Sequence, residues 1–252
     1  MPSRFVENAR LVAQITGPLG QALDYEGMLE RTYRRLLRPG DTVLDIGAHS
    51  GRHTTVFAEL AGAGGAVHAF EPLPEAIALF RARGLPGWVR LHETAIGEAE
   101  GMTEFIHVRG TPEESGLRVK AYNRPDLARP GTIRVRITPL DRAAAALREI
   151  ALIKIDVEGG EIGVLRSGRE TIARTRPWIT VEYGYPGYSA YGQQRRALFD
   201  EACALGYAIG DLFGAVCASA EEWEQTCDRA YWDWYLVPRE RAAAWSAALG
   251  GA

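Results

Sequence analysis

Four carboxylates stand at or just past the ends of short apolar runs, where a strand hands over to a loop: Asp45, Glu71, Asp156 and Glu158. Val43-Leu-Asp45-Ile leads into Gly47-Ala48-His49-Ser-Gly51, which reads as a strand, a sharp turn and the start of a helix. Small residues there let the backbone turn tightly and approach a ligand, and the helix N-terminus offers free N–H groups. A dinucleotide-binding turn needs a second glycine two residues after the first, where the backbone meets the pyrophosphate. Here that position is His49. NAD and FAD are therefore disfavoured, and an adenosine-type ligand without phosphates fits better. Asp45 adds negative charge, which suits a cationic ligand.

Phe70-Glu71-Pro72 ends the second apolar run. A carboxylate at that strand tip can accept both ribose hydroxyls in a bidentate contact. Asp45, Gly47, Ala48, His49, Gly51, Glu71 and Pro72 are therefore expected to hold S-adenosylmethionine, an aminoacyl sulfonium joined to an adenosine. Ala95 and Ile96, in the third such segment, are expected to cover the adenine face. In Ile153-Lys-Ile-Asp156-Val-Glu158-Gly-Gly-Glu161, Lys154 and Asp156 point to one side of a strand. Asp156 should emerge at the carboxyl edge of the sheet, where open α/β folds bind ligands. Glu161 reads equally as a helix-start carboxylate favoured by the helix dipole.

The positioning elements follow from periodicity. Two helical stretches come first, carried by Phe5 to Ile15 and Met28 to Leu37. Apolar runs at 42–45, 66–71, 88–93, 151–156 and 178–183 then alternate with helical patterns at 54–61, 74–83, 161–175 and 193–205. Such alternation predicts an α/β, Rossmann-like doubly wound and mostly parallel sheet. YAIGDLFG and DWYLVP near the end lack a long crossover and are expected to form an antiparallel C-terminal strand pair. Residues 1–38 are expected to be helices packing on the core, and 39–252 the main domain. The segment 109–131 is rich in Gly, Pro and charge, and reads as an insertion that is either a lid or a mobile surface loop.

The 252 residues are 46% hydrophobic and 24% charged, as in an ordinary globular chain. No apolar run is long enough to span a bilayer, and the N-terminus lacks the apolar core of a signal peptide. A cytoplasmic protein without membrane contact is expected. Three cysteines, Cys203, Cys217 and Cys227, are too few for a disulfide framework and fit a reducing compartment. The net charge of −3 argues against a nucleic-acid partner, which favours a basic surface. Trp223, Tyr231, Trp232, Trp234 and Tyr235 read as core or as the contact of a homodimer.

DTVLDIGAHSG, HAFEP, TAIGE, TPLD and IKIDVEGGE, in this order from about Pro39 to Tyr183, resemble the FkbM family of S-adenosylmethionine-dependent methyltransferases. The resemblance implies the class I methyltransferase fold, and an enzyme that methylates a hydroxyl of a small molecule such as a sugar, polyketide or other secondary metabolite. This chain carries His49 where the family commonly has Asn. Transfer from a sulfonium needs no acid for its neutral leaving group; it needs positioning and a proton acceptor. Asp156, with help from Glu158, is the expected catalytic group, orienting the hydroxyl and taking its proton. His49 and His53 are rival bases. A divalent metal on Asp156 and Glu182 is the other arrangement, but no compact ligand motif supports it and none is expected. The tyrosines of Glu182 to Tyr191 are either a stacking wall for a ring or buried loop anchors. Two further functions stand as alternatives: an RNA ribose 2′-O-methyltransferase, suggested by Lys154 beside Asp156, and a non-catalytic cofactor-binding subunit.

Overall fold

The computed structural model describes residues 2–250. Among the described residues ten strands form: β1 (Thr42–Ile46), β2 (Ala66–Phe70), β3 (Val89–His92), β4 (Ala95–Ile96), β5 (Gly101–Val108), β6 (Pro130–Thr138), β7 (Leu152–Ile155), β8 (Trp178–Glu182), β9 (Tyr207–Gly210) and β10 (Asp233–Pro238). Seven of them make one sheet in the order β3-β2-β1-β7-β8-β10-β9. β3, β2, β1, β7 and β8 run parallel, and β10 is antiparallel to both β8 and β9. The centre is apolar on both faces: Val43, Leu44, Ile46, Leu152, Ile153, Ile155 and Ile179 are fully buried. That is why these strands read as continuous apolar runs, with helices covering both sides.

The helices are α1 (Arg4–Thr16), α2 (Tyr25–Leu36), α3 (Arg52–Ala61), α4 (Pro74–Ala82), α5 (Leu140–Ala143), α6 (Glu161–Ser167), α7 (Arg169–Thr175), α8 (Tyr185–Ala190), α9 (Ala197–Ala204), α10 (Ala220–Thr226) and α11 (Ala242–Leu249). Ser3 caps α1 and Asp24 caps α2, each by accepting from a backbone N–H of the first turn. Phe5 of α1 meets Trp234 with ring centroids 5.8 Å apart, and Tyr33 of α2 meets Phe57 of α3 at 4.7 Å. The first two helices thus share the core of the main sheet. The single helix expected over 161–175 is two. It breaks at Gly168, against which the Leu140 side chain packs too closely for any Cβ.

The C-terminal strands form the expected antiparallel pair, with β10 the inner strand, between β8 and β9, and β9 at the sheet edge. β4, β5 and β6 make a separate small sheet, and the segment 109–131 joins β5 to β6. Successive connections carry the chain in opposite directions from β1, towards β2 on one side and β7 on the other. Such a switch point opens a crevice at the carboxyl ends of the strands. No helix among the described residues is long and apolar enough to cross a membrane.

Candidate active site

The loops after β1 and β7 meet at the switch point. The Asp156 N–H donates to the Ile46 carbonyl at 3.0 Å. Gly47 has φ 80°, and a Cβ there would collide with the Asp156 carbonyl oxygen. The glycine is therefore demanded by the neighbouring chain, and the turn it makes opens the cavity as a consequence. Gly51, at φ 83°, caps α3 and lies against the Phe80 ring, outside the cavity lining.

A cavity of about 390 Å³ runs along the carboxyl edge. On its β2 side it is lined by Phe70, Glu71, Pro72, Leu73, Ala95 and Ile96, and by Gly47, Ala48 and His49 over β1. Both Glu71 oxygens are fixed from behind: Oε2 accepts from the His49 N–H and Oε1 from the Leu73 N–H, each at 2.8 Å. Each oxygen keeps a free lone pair for a hydroxyl. Burial pushes the Glu71 carboxyl up to about 7. His49 has φ 46°, in the left-handed region where Asn and His are tolerated, and its Nε2 is buried without a partner. That unmet polar atom, in a cavity rimmed by a carboxylate with free lone pairs and an apolar wall, fits the polar end of an adenosyl amino-acid ligand.

Asp45 does not line the cavity. It is fully buried one row beneath, where its Oδ2 accepts from the Thr54 hydroxyl and its Oδ1 has no partner. In the register it faces Lys154 of β7, and Lys154 faces Thr180 of β8. Lys154 reaches up instead, donating to Asp156 Oδ2 at 2.9 Å. Burial alone would raise the Asp156 carboxyl, but Lys154 overrides it and holds the group at about 2. Ile155 pairs with Val181 and Asp233 with Glu182, so Asp156, Glu182 and Asp233 form one row of acids across β7, β8 and β10.

Glu158 sits at φ 61° and pairs with Lys120 from the 109–131 segment. Burial and Asp156 push its carboxyl up to about 7 against the pull of Lys120. One oxygen each from Asp156, Glu158 and Glu182 lies within 4.8 Å of the others. Lys154 and Lys120 compensate Asp156 and Glu158, leaving Glu182 the acid of the three without a cation of its own. Glu161 lies beneath, accepting from the Gly159 and Val157 N–H groups at 2.8 and 3.3 Å, and so serves the helix start.

The 109–131 segment contributes Pro112, Glu113, Glu114, Ser115, Leu117 and Asn123 to the cavity lining. It is tied down by Ile106–Gly116 backbone hydrogen bonds at 2.8 and 3.1 Å and by Lys120 on Glu158. α2 contributes Glu26, which pairs with His53 Nε2 at 2.7 Å. Of the residues expected in the site, Gly47, Ala48, His49, Glu71, Pro72, Ala95, Ile96, Asp156 and Glu158 line one cavity; Asp45 and Gly51 support it from outside. Sequence reasoning missed Glu26, Lys120 and Asp233. Of the tyrosines after β8, Tyr183 and Tyr188 are buried anchors, donating to the Gln194 carbonyl and to Asp228, whereas Tyr185 is exposed and the Tyr191 hydroxyl is buried without a partner.

Comparison with known proteins identifies the family. The Methyltransferase FkbM domain family matches residues 45–209. The chain is 31% identical over 188 residues to the 31-O-demethyl-FK506 methyltransferase FkbM of Streptomyces tacrolimicus, covering 63% of this chain and 72% of that one. It is 31% identical over 160 residues to the 2-O-methyltransferase NoeI of Sinorhizobium fredii, covering 59% of this chain and 65% of that one. Among solved structures, a methyltransferase FkbM from Methylobacillus flagellatus KT aligns with TM-score 0.48 and 17% identity, over 92% of this chain and 59% of that one. The chain belongs to the FkbM methyltransferase family.

Proposed function

We propose that this chain is an S-adenosylmethionine-dependent O-methyltransferase acting on a hydroxyl of a small molecule, with secondary metabolites the acceptor class that its relatives' names suggest. The observation that carries the reading is the Glu71 carboxylate, clamped by two backbone N–H groups at one end of a cavity whose other end holds Asp156, Glu158 and Glu182. A diol grip and a proton-accepting cluster thus share one chamber. When bound, S-adenosylmethionine supplies a methyl group on a positively charged sulfur that departs as a neutral thioether.

Each protein group has a definite task in that arrangement. Glu71 accepts the ribose hydroxyls, and Ala95 and Ile96 cover the base. His49 offers its free Nε2 to the amino-acid end. Asp156, kept ionised by Lys154, orients the acceptor hydroxyl and draws its proton, with Glu158 beside it. The 109–131 segment shuts water out, which strengthens these contacts. Positioning of this kind is worth roughly 7–11 kcal/mol and a general base about 10²- to 10⁴-fold.

The test is incubation of the chain with S-adenosylmethionine carrying a labelled methyl group and fractionated metabolites. Label recovered as an alkali-stable methyl ether on a small molecule supports the reading. Label on RNA alone, or none on any fraction despite donor binding, overturns it.

A further inference from the structure

Beyond the cofactor grip lies an arrangement that the transfer chemistry above leaves unused. Glu182 ends β8 and Asp233 begins β10, and the antiparallel register sets them directly opposite one another. Like charges so placed repel. The two ammonium groups nearby are engaged elsewhere, Lys154 on Asp156 and Lys120 on Glu158. The other ionisable groups facing the pair are Glu26 of α2 and His53 of α3, in contact with one another at 2.7 Å, and the neutral hydroxyls of Tyr25, Tyr33 and Tyr235. Glu182 hydrogen-bonds to Asp156, which with burial pushes its carboxyl up, and burial pushes Asp233 up as well, so the two opposed carboxyls hold a proton rather than two charges.

Three cavities meet at this pair. Glu182 lines the main cavity together with Asp156. A small chamber of about 70 Å³ is enclosed by Lys154, Asp156, Thr180, Glu182, Asp233 and the Glu26–His53 pair. Outside it lies a groove of about 610 Å³ between the Thr16–Glu26 stretch and Asp228–Asp233, which also reaches Glu182. A polar path therefore leads from Asp156, through Glu182 and Asp233, to bulk water.

We propose that Glu182 and Asp233 share one proton and form the relay that carries the acceptor's proton from Asp156 to the outer groove. This rests on the methyl-transfer reading of the same site. The step balances simply. As the acceptor oxygen bonds to carbon, its O–H bond breaks and the proton joins Asp156. Lys154 makes Asp156 a weak base, so it does not keep the proton. The proton passes to the Glu182–Asp233 pair, which then holds two and releases one to water in the groove. The Asp233 carboxyl, pushed up to about 7 by burial and by Asp156, is matched to that exchange at neutral pH.

Carboxyl carbon NMR on the full chain with bound S-adenosylhomocysteine tests the shared proton without any acceptor. The expected result is one protonated carboxyl across Glu182 and Asp233 at neutral pH. Asp233→Asn should then move the Glu182 titration down by at least one pH unit, because the like charge is gone. In turnover, Asp233→Asn should lower kcat about tenfold and shift the acidic limb of the kcat profile, leaving donor affinity within twofold. A role confined to packing would change neither titration nor profile. Two ionised carboxyls at neutral pH, or a Glu182 titration unmoved in Asp233→Asn, overturns the proposal. Failure of wild-type chain to transfer methyl overturns the relay together with the reading it rests on, whereas failure in the titration alone leaves that reading standing.

Discussion

The His49 backbone N–H donates to Glu71 Oε2 at 2.8 Å, tying the turn after β1 to the tip of β2. The contact orients the carboxylate from behind and leaves its outer lone pairs to a ligand. Glu71→Gln keeps the shape but loses the charge and one acceptor. Hydrogen bonds to a charged group contribute about 1.5–3 kcal/mol each. Calorimetry should therefore show S-adenosylhomocysteine binding weakened roughly 10- to 100-fold, and the free chain should lose about 1–3 kcal/mol of stability because the N–H of His49 or Leu73 then faces an amide nitrogen. Unaltered affinity would remove Glu71 from the ribose contact.

Asp156→Asn should separate chemistry from binding. The amide still fills its place in the cavity wall but accepts no proton. Turnover should fall about 10²- to 10⁴-fold while donor affinity stays within a few-fold. EDTA should leave wild-type activity intact, since Lys154 and Lys120 already neutralise Asp156 and Glu158. Loss of activity in EDTA, restored by a divalent ion, would replace the carboxyl mechanism with a metal one.

Stability should depend on pH in an unusual direction. Burial raises the Glu71 and Asp233 carboxyls to about 7 and Glu161 to about 8 in the folded chain. Unfolded, they release their protons near 4.5 for Glu and 3.8 for Asp. Between those values the folded chain holds more protons, so stability is greatest on the acid side and falls as pH rises through about 7 to 8. Asp156 acts oppositely. Its carboxyl is lowered to about 2, so its contribution is present above 3.8 and is lost only as pH falls towards 2. The ligand-free chain should therefore melt several degrees higher near pH 5.5 than near pH 8, by calorimetry, and Asp233→Asn should flatten the slope. A melting temperature that climbs over this interval would contradict the assignment.

Lys120 is the charged tether of the 109–131 segment. Lys120→Ala leaves Glu158 without its cation and the segment with backbone contacts alone. Limited proteolysis with a glutamyl or arginyl protease should cut within 109–131 several times faster in the variant than in the wild type. Donor dissociation should speed up in parallel. Equal cleavage rates would show that the segment is held by its backbone contacts.

Gly47→Ala should be far more disruptive than its size suggests. The added methyl meets the Asp156 carbonyl oxygen at a backbone angle that alanine resists. A loss of at least about 2 kcal/mol is expected in denaturant melts. A neutral outcome would mean that the loops after β1 and β7 can separate without cost.

The sequence by itself determined what local physics governs. Continuous apolar runs at β1, β2, β7 and β8 announced buried parallel strands, and residues at their tips had to emerge on one edge. Glu71, Asp156 and Glu158 were legible for that reason, as was the turn that places Ala48 and His49. Only the tertiary structure decided which distant residues face them. β10 inserts antiparallel between β8 and β9, and that single pairing sets Asp233 against Glu182. Packing of α2 brings Glu26 to His53, and the course of the 109–131 segment brings Lys120 to Glu158. None of these partners has a periodic or spacing signature, because contacts between remote segments depend on how elements dock. The same reason moved Asp45 from the cavity wall to the row beneath it: the turn at Gly47 bends around the Asp156 backbone, which no local pattern records.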